Sequence, residues 1–372
     1  MVLQMPRPLA LLLSLLCCLA AVDEPGEFTI RPALPLNQPA LAALRQLVKA
    51  DSEATALAAA VAAMAAPLSS NEPQPLPVIR YEGLVNTHPE RLATVAKLRS
   101  MDDVALLLQH WQASGDAVAA ATLVRHIAAW SATYQPTGND VNENKLTPLL
   151  VAWHALRPQA NQELRSRVDA WVVDLGTRHA RAVGESRELT NRYTKHVRLA
   201  VYCGLAIGRQ EWVALGREGI ERFVASSLRA NGGSLDLERR DSLTYHCSAL
   251  VPALELAQIL GPEGRRLYAW TAPSGGSLRA SVDFVVPYAT GERRRKEWVN
   301  STVELDRQRA AAGLEKYGAG REFEPAQAAD LMEAASAFDA RLVPVWNRLA
   351  GVTAKRFGSW RMLVQAACLA AE

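Results

Sequence analysis

The feature that most limits what this chain can fold into is a long succession of apolar stretches at helical spacing, with almost no strand-like alternation. Residues 40–66 are Ala-rich, with Leu41, Leu44, Leu47 and Val48 three or four apart. Further periodic stretches cover about 101–114, 116–132, 143–156, 160–181, 191–207, 209–229, 238–260, 302–315 and 325–350. Short turns rich in Gly, Pro, Asn or Asp separate them, as at Ser114-Gly115-Asp116 and Gly261-Pro262. Only Ser281 to Val286 reads as a short strand. An all-α chain with this many helices can stack as a solenoid or close as a barrel of helical hairpins. No fixed-period repeat is present, so the expectation is a single-domain, incomplete (α/α) toroid with a cleft built from helix ends and loops.

The N-terminus reads differently. Arg7 precedes an apolar block, Leu9 to Ala20, which ends in small residues just before Val22-Asp23-Glu24. A charged start, a short apolar run and small residues at the end predict a secretory leader over 1–21 and a periplasmic or secreted protein. The block is too short to span a membrane comfortably, so no stable insertion is expected. Residues 22–77 then read as an Ala-rich helix and a Pro-rich linker, and 78–372 as the toroid, expected to work as a monomer. Cys203, Cys247 and Cys368 remain after the leader. They form no CxxC or Cys/His cluster, and a Cys203–Cys247 bridge stays open beside the simpler reading of two core thiols. Nothing calls for a metal or cofactor. With 41 basic and 38 acidic residues the balance excludes a strongly nucleic-acid-like protein, yet clusters such as Arg293-Arg294-Arg295-Lys296 suit either a solvated loop or an acidic glycan.

The chemistry concentrates in residues 231–248, where a Gly-rich polar turn runs into a helix carrying Arg240, Tyr245 and His246. The apolar run Leu250-Val251-Pro252-Ala253-Leu254 takes that helix into the core. A guanidinium beside a phenol suits an anionic substrate, because the cation neutralises a carboxylate and favours the phenolate. Trp130, Trp153, Trp171 and Trp346 lie on apolar helical faces and read as core. Trp298, beside the basic run, is the better platform for a sugar ring. Asn142 and Glu143 read as the cap and first-turn acid of a helix.

Four blocks give the chain a family resemblance: Tyr81-Glu82-Gly83; residues 136–146, Pro-Thr-Gly-Asn-Asp-Val-Asn-Glu-Asn-Lys-Leu; residues 191–198, Asn-Arg-Tyr-Thr-Lys-His-Val-Arg; and residues 240–246 continued through 274–278 and 286–291. In this order they resemble the alginate lyase superfamily of α/α-toroid enzymes, in its exported bacterial branch. The resemblance implies β-elimination on a uronic-acid polysaccharide, without metal. It assigns Tyr245 as the acid/base, Arg240 as its cation or a carboxylate ligand, and Asn191 as the carboxylate-neutralising amide. Arg192, Lys195, Tyr81, His246 and Trp298 become candidate substrate contacts. The family's Asn-Asn-His is replaced here by Thr190-Asn191-Arg192-Tyr193. Arg192 is a permanent cation and no base. His196 is the candidate replacement, about 140° round an ideal helix from Asn191. Two other classes stay open: a toroid glycoside hydrolase, drawing two carboxylates from Glu143, Asp236, Glu238 and Asp241, and a glycan-binding protein without catalysis.

Overall fold

The computed structural model describes residues 33–353 and 355–372; the leader expected over 1–21 lies outside them. The helices in chain order are α1 (Gln38–Ala50), α2 (Ser52–Ala65), α3 (Pro89–Leu98), α4 (Ser100–Ser114), α5 (Ala117–Thr133), α6 (Asp140–Glu143), α7 (Thr147–Leu156), α8 (Gln162–Glu185) and α9 (Asn191–Ile207). They continue with α10 (Gln210–Ser227), α11 (Leu235–Arg240), α12 (Leu243–Ile259), α13 (Pro262–Ala269), α14 (Leu278–Ala289), α15 (Glu304–Ala311), α16 (Ala329–Ala335), α17 (Val343–Leu349) and α18 (Trp360–Ala370). Among the described residues there is no strand, only two isolated bridges.

Neighbouring helices pack in sequence, α1 on α2, α4 on α5, α8 on α9 and α9 on α10, and the last helix, α18, packs back on α1. That return contact closes the ring of an α/α toroid. It also places the described part of 22–77 in the common core, where Leu41, Leu44, Leu57 and Val61 are buried. The Ala-rich stretch is two helices because Asp51 stops the first and caps the second, its carboxylate accepting the Glu53 and Ala54 N–H groups.

The expected strand at 281–286 is helix instead. Ser277 caps it, and Leu278, Ser281, Val282 and Val285 bury one face at helical spacing, which outweighs the local β-propensity of the Val residues. The stretch 325–350 is likewise broken into α16 and α17 with intervening turns.

Helix α9 sits innermost, packed against α6, α7, α8, α10 and α12. Its tight seat depends on small residues: a Cβ at Gly219 of α10 would meet Val197 at 2.6 Å. Its polar residues are handled by a buried ionic knot. Arg198 pairs with Glu255 of α12, which also accepts from Arg361 of α18 (2.5 Å), and Arg361 faces Glu333 of α16 (3.5 Å). Removing one partner of such a knot leaves a buried charge uncompensated and is strongly destabilising. Arg198 also donates to Asn144, so the knot anchors the loop beside α6 that borders the site. All three cysteines of the described residues are free thiols.

Candidate active site

The segment that carries Arg240 and Tyr245 is not one helix. It breaks at Asp241, whose backbone is left-handed (φ 49°), and Ser242 starts α12 by accepting the Tyr245 N–H. The break is held from outside. The Asp241 carboxylate accepts from Arg295 (2.5 Å) and the Asn300 N–H (3.0 Å), and its carbonyl accepts the Trp298 N–H (2.9 Å). Glu297, 2% exposed, accepts from Ser242 Oγ, Thr244 N and Thr244 Oγ1. Loop 295–300 is thus clamped on the α11–α12 junction, and Arg295 of the basic run is structural.

The turn folds Arg240 back so that its guanidinium lies over the Tyr245 ring, 4.0 Å from the centroid, while pairing with buried Asp306 at 2.5 Å. The cation at the hydroxyl is a different one: Arg309 of α15 donates to Tyr245 Oη at 3.2 Å. Positive charge therefore sits at the atom that becomes negative on proton loss. The edge of Tyr245 is set by Trp298, T-shaped at 5.6 Å, which in turn leans on Tyr317 at 5.2 Å. Trp298 is only 5% exposed, so it is a wall for Tyr245 rather than an open sugar platform.

Helix α9 starts at Asn191 itself, and this decides which residues share a face. Asn191 and Lys195, one turn apart, form one stripe, and Arg192 and His196 form the next. The Asn191 N–H donates to Asp236 Oδ2 (2.8 Å) on α11, which ties this stripe to the helix of Arg240. Its side-chain amide takes no hydrogen bond among the described residues. Burial pushes the Asp236 carboxyl up to about 7, against the Asn191 N–H, Arg240 and Lys195, which favour its charge. Lys195 is half-buried and forms no ion pair among the described residues. Desolvation lowers its pKa although Asp140 and Asp236 pull the other way.

His196 does not share the face of Asn191, nor does it contact Tyr245. Arg192 grips the buried Asp140 carboxylate through Nε (2.8 Å) and Nη2 (2.7 Å), and His196 Nε2 lies 3.7 Å from the same oxygen. Behind, His196 Nδ1 meets His179 Nδ1 at 2.8 Å, and His179 Nε2 meets Glu143 Oε2 at 2.8 Å. Burial holds the His196 imidazole down at about 4, with Asp140 opposing. Glu143, expected as a first-turn acid, is fully buried. Burial alone raises its pKa, but His179, the Thr137 N–H and the Tyr134 hydroxyl together hold it below the ordinary value.

Two expected contacts lie elsewhere. His246 is 0% exposed with both ring nitrogens engaged, by Ser234 Oγ (2.7 Å) and the Ser281 carbonyl (3.2 Å), so it packs α12 on α14 and has no nitrogen for a substrate. Tyr81 donates its hydroxyl to the Val141 carbonyl (2.9 Å) and is flanked by Arg91 and Lys145, a half-buried position at the loop bordering the site. No local pattern marks Arg309 or Asp306 as site residues. His179 had one: it lies on the buried stripe Val168, Val172, Leu175, Val183 of α8, where an imidazole needs a polar partner.

A family model described as alginate lyase matches residues 46–295. Among solved structures, the fold is shared with an alginate lyase from Bacteroides ovatus (14% identity, 88% of this chain and 97% of that one, TM-score 0.60). It is shared also with alginate lyase A1-III from Sphingomonas species A1 (16% identity, 81% and 87%, TM-score 0.57). A substituted form of A1-III complexed with a tetrasaccharide aligns similarly (16% identity, 82% and 89%, TM-score 0.58). No curated protein sequence matches.

Proposed function

Because the chain belongs to the alginate lyase family and is a polysaccharide lyase, we propose that it cleaves a uronate polymer of the alginate type by β-elimination beside the start of α9 and the α11–α12 junction. The observation that carries this is the Tyr245 hydroxyl, with one guanidinium at its oxygen and another on its ring. The C5 proton of a uronate becomes removable once the adjacent carboxylate is neutralised. The unclaimed Asn191 amide and the unpaired Lys195 ammonium, on one stripe of α9, supply that neutralisation. A base takes the C5 proton, its electron pair forms the C4–C5 double bond, the C4–O4 bond breaks, and O4 takes a proton. Tyr245 serves as acid/base, giving up and recovering its proton under the charge of Arg309. Arg240, occupied by Asp306, positions the ring and does not reach for the substrate.

The four carboxylates named for the hydrolase reading do not supply a facing pair: Glu143 is buried behind five contacts, Asp236 is buried and takes the Asn191 N–H, Asp241 holds loop 295–300, and Glu238 pairs with Arg229 on the surface. We further propose export, on the charged and apolar pattern of residues 1–21. The test is incubation with purified polyuronates, read by absorbance near 230 nm from the new double bond. Reducing ends without that absorbance, or binding without cleavage, would overturn the lyase reading.

A further inference from the structure

The chain Glu143–His179–His196 runs from the packed interior to the edge of the site, and with Glu143 ionised and both imidazoles neutral the proton inventory along it has one solution. An ionised carboxylate only accepts. Glu143 Oε1 takes the Tyr134 hydroxyl (2.7 Å), the Thr137 N–H (2.5 Å) and the Thr137 hydroxyl (3.1 Å), and Oε2 takes the Gly138 N–H (3.0 Å). His179 Nε2, 2.8 Å from Oε2 though off the ideal hydrogen-bond direction, faces a group that can only accept, so the proton of a neutral His179 belongs on Nε2. A neutral His179 then has a lone pair at Nδ1, so the proton in the 2.8 Å contact between the two rings belongs to His196 Nδ1. His196 is left with a bare Nε2, at a side chain 12% exposed beside Arg192 and Asp140.

We infer that Glu143 and His179 are positioning residues that lock His196 in the tautomer whose Nε2 accepts a proton, making it the second proton-transfer group of the site. The inference deepens the lyase reading and rests on it for the identity of the proton. When Nε2 takes up a proton, the imidazolium donates from Nδ1 to His179, with Glu143 behind it and, 3.7 Å from Nε2, the Asp140 carboxylate that it shares with Arg192. The proton is then passed to the departing oxygen or to solvent, and the ring returns to its starting tautomer. Two imidazoles in series carry the influence of a carboxylate that is itself fully buried.

The test has an arm that needs no substrate. In full-length protein labelled with 15N-histidine, the seven histidines are few enough to assign with His196→Gln and His179→Gln variants. At pH 7 the wild type is expected to show His196 protonated on Nδ1 only and His179 on Nε2 only. A proton on His196 Nε2 overturns the inference, whatever the protein cleaves. Glu143→Gln is the isosteric challenge. Its carbonyl stays with the three donors at the Oε1 position, and its NH2 faces His179, which should invert both tautomers and put a proton on His196 Nε2. Turnover on the polyuronate should fall a hundredfold or more with KM little changed. Inverted tautomers with turnover intact would remove His196 from the chemistry. The expected tautomers in a protein that cleaves no polyuronate would sink the lyase reading and leave the relay standing.

Discussion

The two sides of the site treat their titratable rings in opposite ways. Tyr245 is a half-buried phenol surrounded by positive charge, with Arg309 on the hydroxyl and Arg240 on the face. His196 is backed by carboxylates, with Glu143 behind His179 and, beside Nε2, Asp140, which Arg192 also holds. The difference follows from what each ring must stabilise. A phenol that transfers a proton becomes an anion and needs cations, whereas an imidazole that accepts one becomes a cation and needs carboxylates. On the proposed reaction the site is polarised, with its anionic partner at α12 and its cationic partner at α9.

The largest effect should come from breaking the cation-rich side. Tyr245→Phe keeps the ring between Arg240 and Trp298 and removes only the hydroxyl. Turnover should fall by about a hundredfold or more with the melting temperature nearly unchanged. Wild-type rates in this variant would strip Tyr245 of its role and leave the α9 side to act alone.

The next effect separates cations that meet the substrate from cations that serve Tyr245. Asn191→Ala and Lys195→Met should lose about tenfold to a hundredfold on the ionised polymer, the usual worth of hydrogen bonds to a charged group. On a methyl-esterified polymer the loss should be much smaller. Arg240→Gln should lose equally on both, because its guanidinium is held by Asp306 and the ring. An ester-dependent loss at Arg240, or an ester-independent one at Lys195, would reverse these assignments.

Much of this was legible in the residues, and the rest failed for identifiable reasons. Helix α9 was read to its ends because Gly208 stops it in a left-handed turn and the apolar period inside it is clean. The pairing of Arg240 with Tyr245 was legible too, but the break between them was not. Asp241 adopts its left-handed backbone because Arg295 and Asn300, more than fifty residues on, take its carboxylate. Glu143 carried a convincing local signal as a first-turn acid, and burial against His179 overrode it. Arg309 arrives from a short exposed helix whose sequence marks nothing. Local patterns state which groups are present; long-range contacts decide which of them meet.

Stability should register the polarity as well, first through His246. Its ring is held near 4, chiefly by burial, below the ordinary value of 6.5. The unfolded chain takes up this proton first, so the contribution present above about pH 6.5 is lost as pH falls toward 4. His196 adds a loss of the same sign. Thermal melts should show a falling Tm across that window, and His246→Gln, though less stable overall, should have a shallower slope. An unchanged slope would mean that these rings are not what acid attacks.

Asp236 should give the smallest effect, with the opposite sign. Its carboxyl is raised to about 7 from 3.8, mainly by burial, and Oδ1 has no hydrogen-bond partner in the structure. Between those two values the folded protein holds a proton that the unfolded chain has released, so this group makes the protein less stable as pH rises from about 4 to 7. Asp236→Asn keeps an oxygen for the Asn191 N–H and cannot ionise. Relative to wild type, the variant should therefore gain in Tm as pH rises through that window, by a few degrees between its ends. At pH 4, where the wild-type carboxyl is already neutral, the two should melt close together. A variant that instead loses ground with rising pH would show that Lys195 and Arg240 keep Asp236 ionised. In that case an ion pair, and not a neutral acid, joins the two sides of the site.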